Sequence, residues 1–152
     1  MLISACDPAS ADALVLLGEL SVALAALTGD SGASSFRDDD VRSPRSLFVI
    51  ARSDNGALLG CGALRPLQGD VAEIKRMYAR PGSAGAGAAL LAHLEDAARE
   101  LGYRAAWLST RRVNARAVAF YSKHGYATAP AYGKYVGSDE SVCMARDLAP
   151  AG

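Results

Sequence analysis

Residues 77–91, MYARPGSAGAGAALL, decide the fold of this chain. Residues 82–87 are all Gly, Ser or Ala, and a helix-like apolar run follows them. A glycine-rich turn at the start of a helix offers unpaired backbone N–H groups and the positive end of the helix dipole to an anion. The same turn also serves as a simple helix start, so the stretch alone is compatible with both interpretations.

Two well-known phosphate-binding loops do not fit this stretch. A P-loop ends in Gly-Lys-Ser/Thr, whereas Gly87 is followed by two alanines. A dinucleotide fingerprint, G-x-G-x-x-G, needs its third glycine at Leu90, and the ribose-binding acid expected about twenty residues later is missing. The stretch therefore predicts neither type of nucleotide site.

The elements around the stretch predict a mixed sheet with helices on it. Val71–Ala79 has the pattern of a strand, and the Asn55-Gly56 turn predicts a hairpin that joins the two strands before it. The other expected elements are a strand at 1–5, a helix capped by Ser10 and ending near 27, a helix at 86–101, a strand at 103–110, a helix capped by Asn114 and ending at Gly125, and strands at 126–133 and 141–148. The order β-α-β-β-β-α-β-α-β-β predicts an α/β fold with a mixed, α+β-type sheet.

Composition excludes several classes of function. A chain of 152 residues predicts one domain over 1–152, and a net charge of +0 argues against a nucleic-acid partner. The three cysteines are widely spaced and match no metal-ligand pattern, so we expect neither a disulfide framework nor a metal site. We find no apolar run long enough for a membrane span, and therefore expect a cytoplasmic protein with no membrane partner.

Two motifs, in the right order and at the right separation, resemble the GNAT superfamily of acyl-CoA-dependent N-acetyltransferases. The family's phosphate loop, Gln/Arg-x-x-Gly-x-Gly/Ala before a Leu-Leu pair, matches Gly85, Ala86 and Gly87 followed by Leu90 and Leu91. A later pattern, Asn-x-x-Ala-x-x-x-Tyr-x-Lys-x-Gly-Phe/Tyr, matches Asn114, Ala117, Tyr121, Lys123, Gly125 and Tyr126. The resemblance implies a GNAT-like acyl-CoA N-acyltransferase fold, acetyl-CoA as cosubstrate, and an amine of a small molecule or protein as acceptor. It also allows a homodimer, because dimerisation is common in the family.

The resemblance also assigns the residues that bind coenzyme A. The pyrophosphate would lie on the backbone of Gly82, Ser83, Ala84, Gly85, Ala86 and Gly87, and the pantetheine arm beside Met77, Tyr78, Ala79 and Asn114. One departure stands out, because Gly82 occupies the position of the family's Gln or Arg. Arg80, two residues upstream, is the candidate for supplying the missing positive charge.

The resemblance points to two catalytic side chains. Tyr121 has the position of the general acid that protonates the coenzyme A thiolate, although it would also fit as an aromatic packed beside Phe120. Glu73 has the offset of a general base, and strand alternation places it on the same face as Lys75, Met77 and Ala79. The alternative is that Glu73 pairs with Lys75 or Arg76 at an exposed strand end.

The acceptor is not identified by the sequence. In the family, residues equivalent to 14–45 and 129–141 shape the acceptor pocket, and Asp38, Asp39 and Asp40 form either a solvated loop or an acidic lip there. The alternatives to an enzyme are an acyl-CoA-binding sensor with little catalysis, or an interaction domain whose glycine stretch binds nothing.

Overall fold

The computed structural model describes residues 1–150 and contains a seven-stranded sheet with the strand order β1-β2-β3-β4-β5-β7-β6. Only β4 and β5 run parallel, and every other pair of neighbours is antiparallel. The strands are β1 Leu2–Ala5, β2 Leu47–Arg52, β3 Leu58–Gln68, β4 Val71–Ala79, β5 Ala105–Arg111, β6 Ala127–Thr128 and β7 Ser141–Asp147, and the helices are α1 Ala11–Thr28, α2 Ala86–Glu100 and α3 Ala115–Lys123. The predicted fold class and element order are confirmed.

The helices cover both faces of the sheet and divide the core in two. Leu16 of α1 is fully buried in a cluster with Phe48 and Ile50 on one face. On the other face, α2 contributes Leu90 and Leu94 to the larger cluster, which also holds residues of α3. The helices α1 and α3 therefore lie on opposite faces of the sheet.

The predicted helix ends follow the expected capping rules. The Ser10 hydroxyl accepts the Ala13 N–H at 3.4 Å, and α1 ends at Gly29, whose φ of 81° is left-handed. The Asn114 side chain accepts the Ala117 N–H at 3.2 Å and caps α3. Both caps were predicted from the sequence, because short polar side chains satisfy the first free N–H groups of a helix.

A bulge in β4 corrects the predicted alternation of its side chains. Arg76 has a left-handed φ of 53°. Lys75 pairs with Ala63 and Tyr78 pairs with Cys61, so β4 has one residue more than β3 between these two pairs. Met77 consequently packs in the α2-side cluster, whereas Tyr78 packs on the α1 side. The prediction that Glu73 and Met77 share a face is therefore wrong, since the extra residue of a bulge reverses the alternation beyond it.

Gly62 makes room for this bulge. A Cβ atom there would lie 2.7 Å from Met77 Sδ and 2.9 Å from Leu94 Cδ1, both closer than real contacts allow. The glycine therefore lets the bulged β4 and the helix α2 approach β3 closely.

The predicted strand at 126–133 is much shorter in the structure. Only Ala127–Thr128 pairs as β6, and a 3₁₀ turn at Gly133–Tyr135 follows. Pro130 has no N–H to donate to a sheet ladder, which explains why regular pairing stops before it. The released segment, residues 129–140, instead runs toward the β4–β5 region.

The helix α1 corrects the prediction that no apolar run is long enough for a membrane span. Its 18 residues have a mean hydropathy of 1.7, which by length and composition alone suffices to cross a bilayer. In the structure it packs on the sheet through Ala13, Leu16 and Leu20. A core helix of a globular protein meets the same criterion, and so does a signal sequence near an N-terminus.

Candidate active site

The candidate site is a gap between β4 and β5. These parallel strands pair only over residues 71–73 and 105–107, although β4 continues to Ala79 and β5 to Arg111. Beyond Glu73 and Trp107, within the described residues, the facing backbone groups of the two strands are not joined. Unpaired strand backbone offers hydrogen bonds to an extended ligand, as an exposed sheet edge does.

A cavity of about 340 Å³ occupies this gap. Residues 74–77 form one wall and residues 108–111 the other, while the end of α1 and the loop after it close one side. Four of the predicted site residues line the cavity: Glu73, Met77, Asn114 and Tyr121. The remaining predicted residues, Tyr78, Ala79 and the glycine loop (residues 82–87), lie outside its lining.

The glycine loop lies at the start of α2, next to the end of β4 and to α3. A Cβ on Gly87 would lie 3.5 Å from Phe120 and 3.8 Å from the Ala79 Cβ. Gly82 and Gly85 have left-handed φ values of 81° and 82°, and no atom lies within 4 Å of a Cβ built on either. No side chain caps α2.

Several N–H groups of this loop are available to a ligand. Ser83 and Ala86 donate to backbone carbonyls, but within residues 1–150 the N–H groups of Ala84, Gly85 and Gly87 have no such acceptor. Free N–H groups at a helix N-terminus favour an anion. The loop therefore has the backbone geometry that a pyrophosphate cradle requires.

Arg80 does not supply the charge that Gly82 lacks. Its guanidinium donates to both carboxylate oxygens of Glu19 on α1, at 3.0 and 2.7 Å, and to the Leu58 carbonyl at 3.2 Å. The two contacts with Glu19 direct it toward α1 and the third holds it at the start of β3, so in this structure the loop depends on its backbone groups.

Tyr121 lines the cavity, and it also packs as the alternative to the general-acid prediction describes. The residue is 9% exposed and contacts Phe120 and Tyr126 edge-to-face. Its hydroxyl has no hydrogen-bond partner within residues 1–150, and the side chain lines the cavity. Burial raises the pKa of the Tyr121 phenol well above its usual value, so the hydroxyl keeps its proton and remains a donor.

Glu73 is buried and already has two partners. Its Oε1 accepts from Arg65 Nε at 2.7 Å, and its Oε2 accepts from the Tyr132 hydroxyl at 2.6 Å. Of the predicted alternative, the ion pair of Glu73 with Lys75 is present at 3.9 Å. The exposed strand end is not, because the Glu73 side chain is 3% exposed, and Arg76 instead reaches Ser21 on α1. Each carboxylate oxygen has a second lone pair, so Glu73 keeps acceptor capacity toward the cavity.

Sequence analysis gave no role in the site to two side chains near the cavity. Lys75 lies beside Glu73 with its side chain 9% exposed, and Tyr132 stacks edge-to-face on both Trp107 and Tyr135. Only the tertiary fold brings these residues together, because they come from three separate segments. Strand alternation placed Lys75 on the face of Glu73, but no local pattern indicated that Tyr132 would lie beside them.

Besides Glu73, the acidic groups of the cavity come from the two ranges expected to shape the acceptor pocket, but they are not the aspartates at 38–40. Asp38, Asp39 and Asp40 are outside the lining, and Asp40 pairs instead with Arg65 at 3.1 Å. Asp30 and Glu140 line the cavity, and Arg111 donates to Glu140 at 2.9 Å. The solvated-loop interpretation of residues 38–40 therefore agrees better with the structure than the acidic lip.

Comparison with known proteins gives a family and two curated relatives. Residues 20–126 match the profile of the Acetyltransferase (GNAT) family. The chain is 35% identical over 108 residues to an IAA acetyltransferase of Azospirillum brasilense, an alignment that covers 69% of this chain and 70% of that protein. It is 34% identical over 92 residues to an uncharacterized N-acetyltransferase of Schizosaccharomyces pombe, covering 59% of this chain and 56% of that one.

Solved structures share the fold over nearly the whole chain. A Klebsiella pneumoniae protein assigned to the acyl-CoA N-acyltransferases superposes with a TM-score of 0.81 and 27% identity, covering 97% of both chains. An aminoglycoside 6'-N-acetyltransferase in complex with coenzyme A superposes with a TM-score of 0.70, over 100% of this chain and 99% of that one. The second similarity, at 20% identity, is one of fold.

Proposed function

The chain belongs to the GNAT family of acetyltransferases, and we propose that it transfers an acetyl group from acetyl-CoA to a primary amine by direct attack in a ternary complex. One observation carries this proposal: β4 and β5 separate beyond Glu73 and Trp107, and Tyr121 lines the cavity between them. The coenzyme A bound by a protein of the same fold supports the assignment of that cosubstrate.

The residues present fit coenzyme A. The free backbone groups of β4 would bind the pantetheine arm next to Met77, Tyr78 and Ala79, and Asn114 lies on the opposite wall. The glycine loop would bind the pyrophosphate through its free N–H groups. Bound acetyl-CoA would supply the thioester, and these residues would orient it.

Two side chains would move protons in this reaction. The amine nitrogen forms a bond to the thioester carbon, the carbon–sulfur bond breaks, the amine loses a proton and the thiolate gains one. Tyr121 is the proposed donor to the sulfur, because its hydroxyl is protonated and has no other partner in the described chain. Glu73, through a water on its free lone pairs, is the proposed acceptor of the amine proton.

Holding the two reactants in line would contribute much of the acceleration. Positioning two reactants in one site reaches effective molarities on the order of 10⁵ M or more. The cavity walls are strands and a capped helix rather than free loops, so they can hold the thioester in a fixed place.

The test follows free thiol when the protein is mixed with acetyl-CoA and a panel of primary amines. The proposal predicts thiol release that depends on both the protein and one class of amine, with equal formation of the N-acetyl product by mass spectrometry. Thermal stabilisation by coenzyme A without thiol release on any amine would instead favour the second candidate, an acyl-CoA-binding sensor. The loss of the family's basic residue at Gly82 is the observation behind that alternative.

A further inference from the structure

The side chain of Lys75 is largely buried in the cavity wall, and its ammonium makes a long ion pair with Glu73 but no hydrogen bond. Its side chain is 9% exposed, and its nearest carboxylate oxygen, Glu73 Oε2, is 3.9 Å away, beyond hydrogen-bond distance. That same oxygen already accepts the Tyr132 hydroxyl at 2.6 Å. Within residues 1–150, no other acceptor bonds to Lys75 Nζ.

The charges around Lys75 do not balance. Four charged groups from other positions act on it: Glu73 beside it on β4, Arg65 on β3, Asp40 in the loop before β2, and Lys134 in the turn before β7. Arg65 pairs with both acids, at 2.7 Å to Glu73 and 3.1 Å to Asp40. With Lys75 included, three cations face two carboxylates, which leaves one positive charge in excess.

The position of Lys75 makes this charge available to a ligand. The side chain lines the cavity. Lys75 and Glu73 both precede the bulge at Arg76, so they lie on the same face of β4. Within residues 1–150, Arg111 Nε is the one side-chain nitrogen or oxygen that is both unpaired and inaccessible to solvent. Lys75 Nζ has no hydrogen bond either, so it must be partly accessible, and the cavity is the space that it lines. Burial lowers the pKa of Lys75, because the charged ammonium is incompletely solvated there, and an anionic partner would stabilise that charge.

We propose that Lys75 binds a carboxylate of the acceptor, so that the substrates of this site are amines that also carry a carboxylate, as amino acids do. This inference rests on the proposed function. One excess positive charge matches the single negative charge of a carboxylate better than the charge of about −2 on a phosphate monoester. A charge-assisted hydrogen bond of this kind forms in both the ground and the transition state and therefore acts mainly on KM.

The first test compares matched acceptors that differ only in this group. Thiol release is measured with L-alanine, L-leucine, L-phenylalanine and L-lysine, and with the α-carboxamide of each. For Lys75→Met, we expect kcat/KM to fall at least about tenfold with the acids, through KM, and at most about twofold with the amides. Comparing each acceptor between the two proteins cancels the different basicities of the amines.

Two further variants separate a charge effect from damage to the fold. Lys75→Arg keeps the charge and should restore a clear part of the preference for the acids. Lys123→Met removes one positive charge from an exposed position outside the cavity and should leave the ratio of acids to amides unchanged. Equal losses with acids and amides would overturn the proposal, since they would give Lys75 a general role such as proton transfer. A Lys75→Met protein that keeps the wild-type kcat/KM with the acids would overturn it as well.

The second test does not depend on catalysis. Binding of N-acetyl-L-phenylalanine and N-acetyl-L-leucine, and of their amides, to the protein saturated with coenzyme A is measured by calorimetry. The proposal predicts that the acids bind to the wild type at least about fivefold more tightly than the amides. In Lys75→Met, acids and amides should bind with similar affinity. If this difference appears while no amine releases thiol, the proposed transferase function fails and the Lys75 site stands. Equal affinities for acids and amides would refute the site, whatever the activity.

Discussion

At the scale of single residues, the site depends on how burial sets the state of each polar group. Tyr121 keeps its proton because burial raises the pKa of the phenol, and its hydroxyl has no competing partner in the described chain. Glu73 is equally buried, but Arg65 and Tyr132 compensate its charge and fix its orientation. The sequence indicated both residues as candidates for the site, and both line the cavity between β4 and β5. It could not indicate their partners, because these come from strands and turns distant along the chain.

Removing the Tyr121 hydroxyl tests its role as proton donor. For Tyr121→Phe, we expect kcat to fall by about 10²-fold, the usual size of an acid–base contribution, with coenzyme A affinity within about twofold of wild type. The ring remains in place and keeps its packing on Phe120 and Tyr126. Steady-state kinetics and calorimetric titration measure the two quantities. A wild-type kcat in this variant would show that the residue only packs.

Replacing Glu73 by Gln distinguishes a base from a structural partner. The amide keeps the size of the side chain but does not accept a proton, so a base role predicts a loss of kcat/KM that is largest at low pH, where the amine is most protonated. The pH–rate profile from 6 to 9 measures this directly. A loss of the same size at every pH would assign Glu73 to holding Arg65 and Tyr132 in place.

At the scale of elements, the site is formed where β4 and β5 separate and where the helices α2 and α3 begin. The sequence predicted the helix α2, its glycine loop and the Asn114 cap, because capping and turn chemistry are local. It did not predict the bulge at Arg76 or the short β6, because these depend on how β3 and β7 pair with their neighbours. The bulge reverses the side-chain alternation of β4 and places Met77 and Tyr78 on opposite faces.

Two glycines at opposite ends of α2 provide a matched pair of substitutions. Gly85 and Gly102 have similar left-handed φ values, 82° and 89°, and a Cβ on either meets no atom within 4 Å. Gly85→Ala and Gly102→Ala should therefore each cost about 1 kcal/mol of stability, because of the left-handed backbone. Only Gly85→Ala should weaken coenzyme A binding, by about fivefold or more, since its Cβ narrows the approach to the loop N–H groups. Similar binding by both variants in calorimetric titration would argue against a pyrophosphate at this loop.

At the scale of the whole molecule, buried ionisable groups make stability depend on pH. Burial raises the pKa values of Tyr121, Tyr126 and Tyr132 above the usual value of about 10. Above that pH the unfolded chain releases these protons while the folded protein retains them. The free energy of unfolding must therefore fall as the pH rises above about 10.

Lys75 acts in the opposite direction. Its pKa is lowered in the folded protein, so it adds stability as the pH rises, but three tyrosines outweigh one lysine. Urea unfolding at pH 8 to 11 should show a flat region followed by a decline of up to about 1.4 kcal/mol per pH unit for each tyrosine. Tyr132→Phe should have a shallower decline than wild type. Stability that stays constant up to pH 11 would contradict the burial of these phenols.

The central claim is that the gap between β4 and β5 binds coenzyme A, and a crystal structure of the protein with acetyl-CoA tests it most directly. We predict the pantetheine arm along residues 77–79, the pyrophosphate on residues 82–87, and the thioester sulfur within hydrogen-bond distance of the Tyr121 hydroxyl. Acetyl-CoA bound on another surface, with the gap between residues 74–77 and 108–111 left without it, would contradict the account.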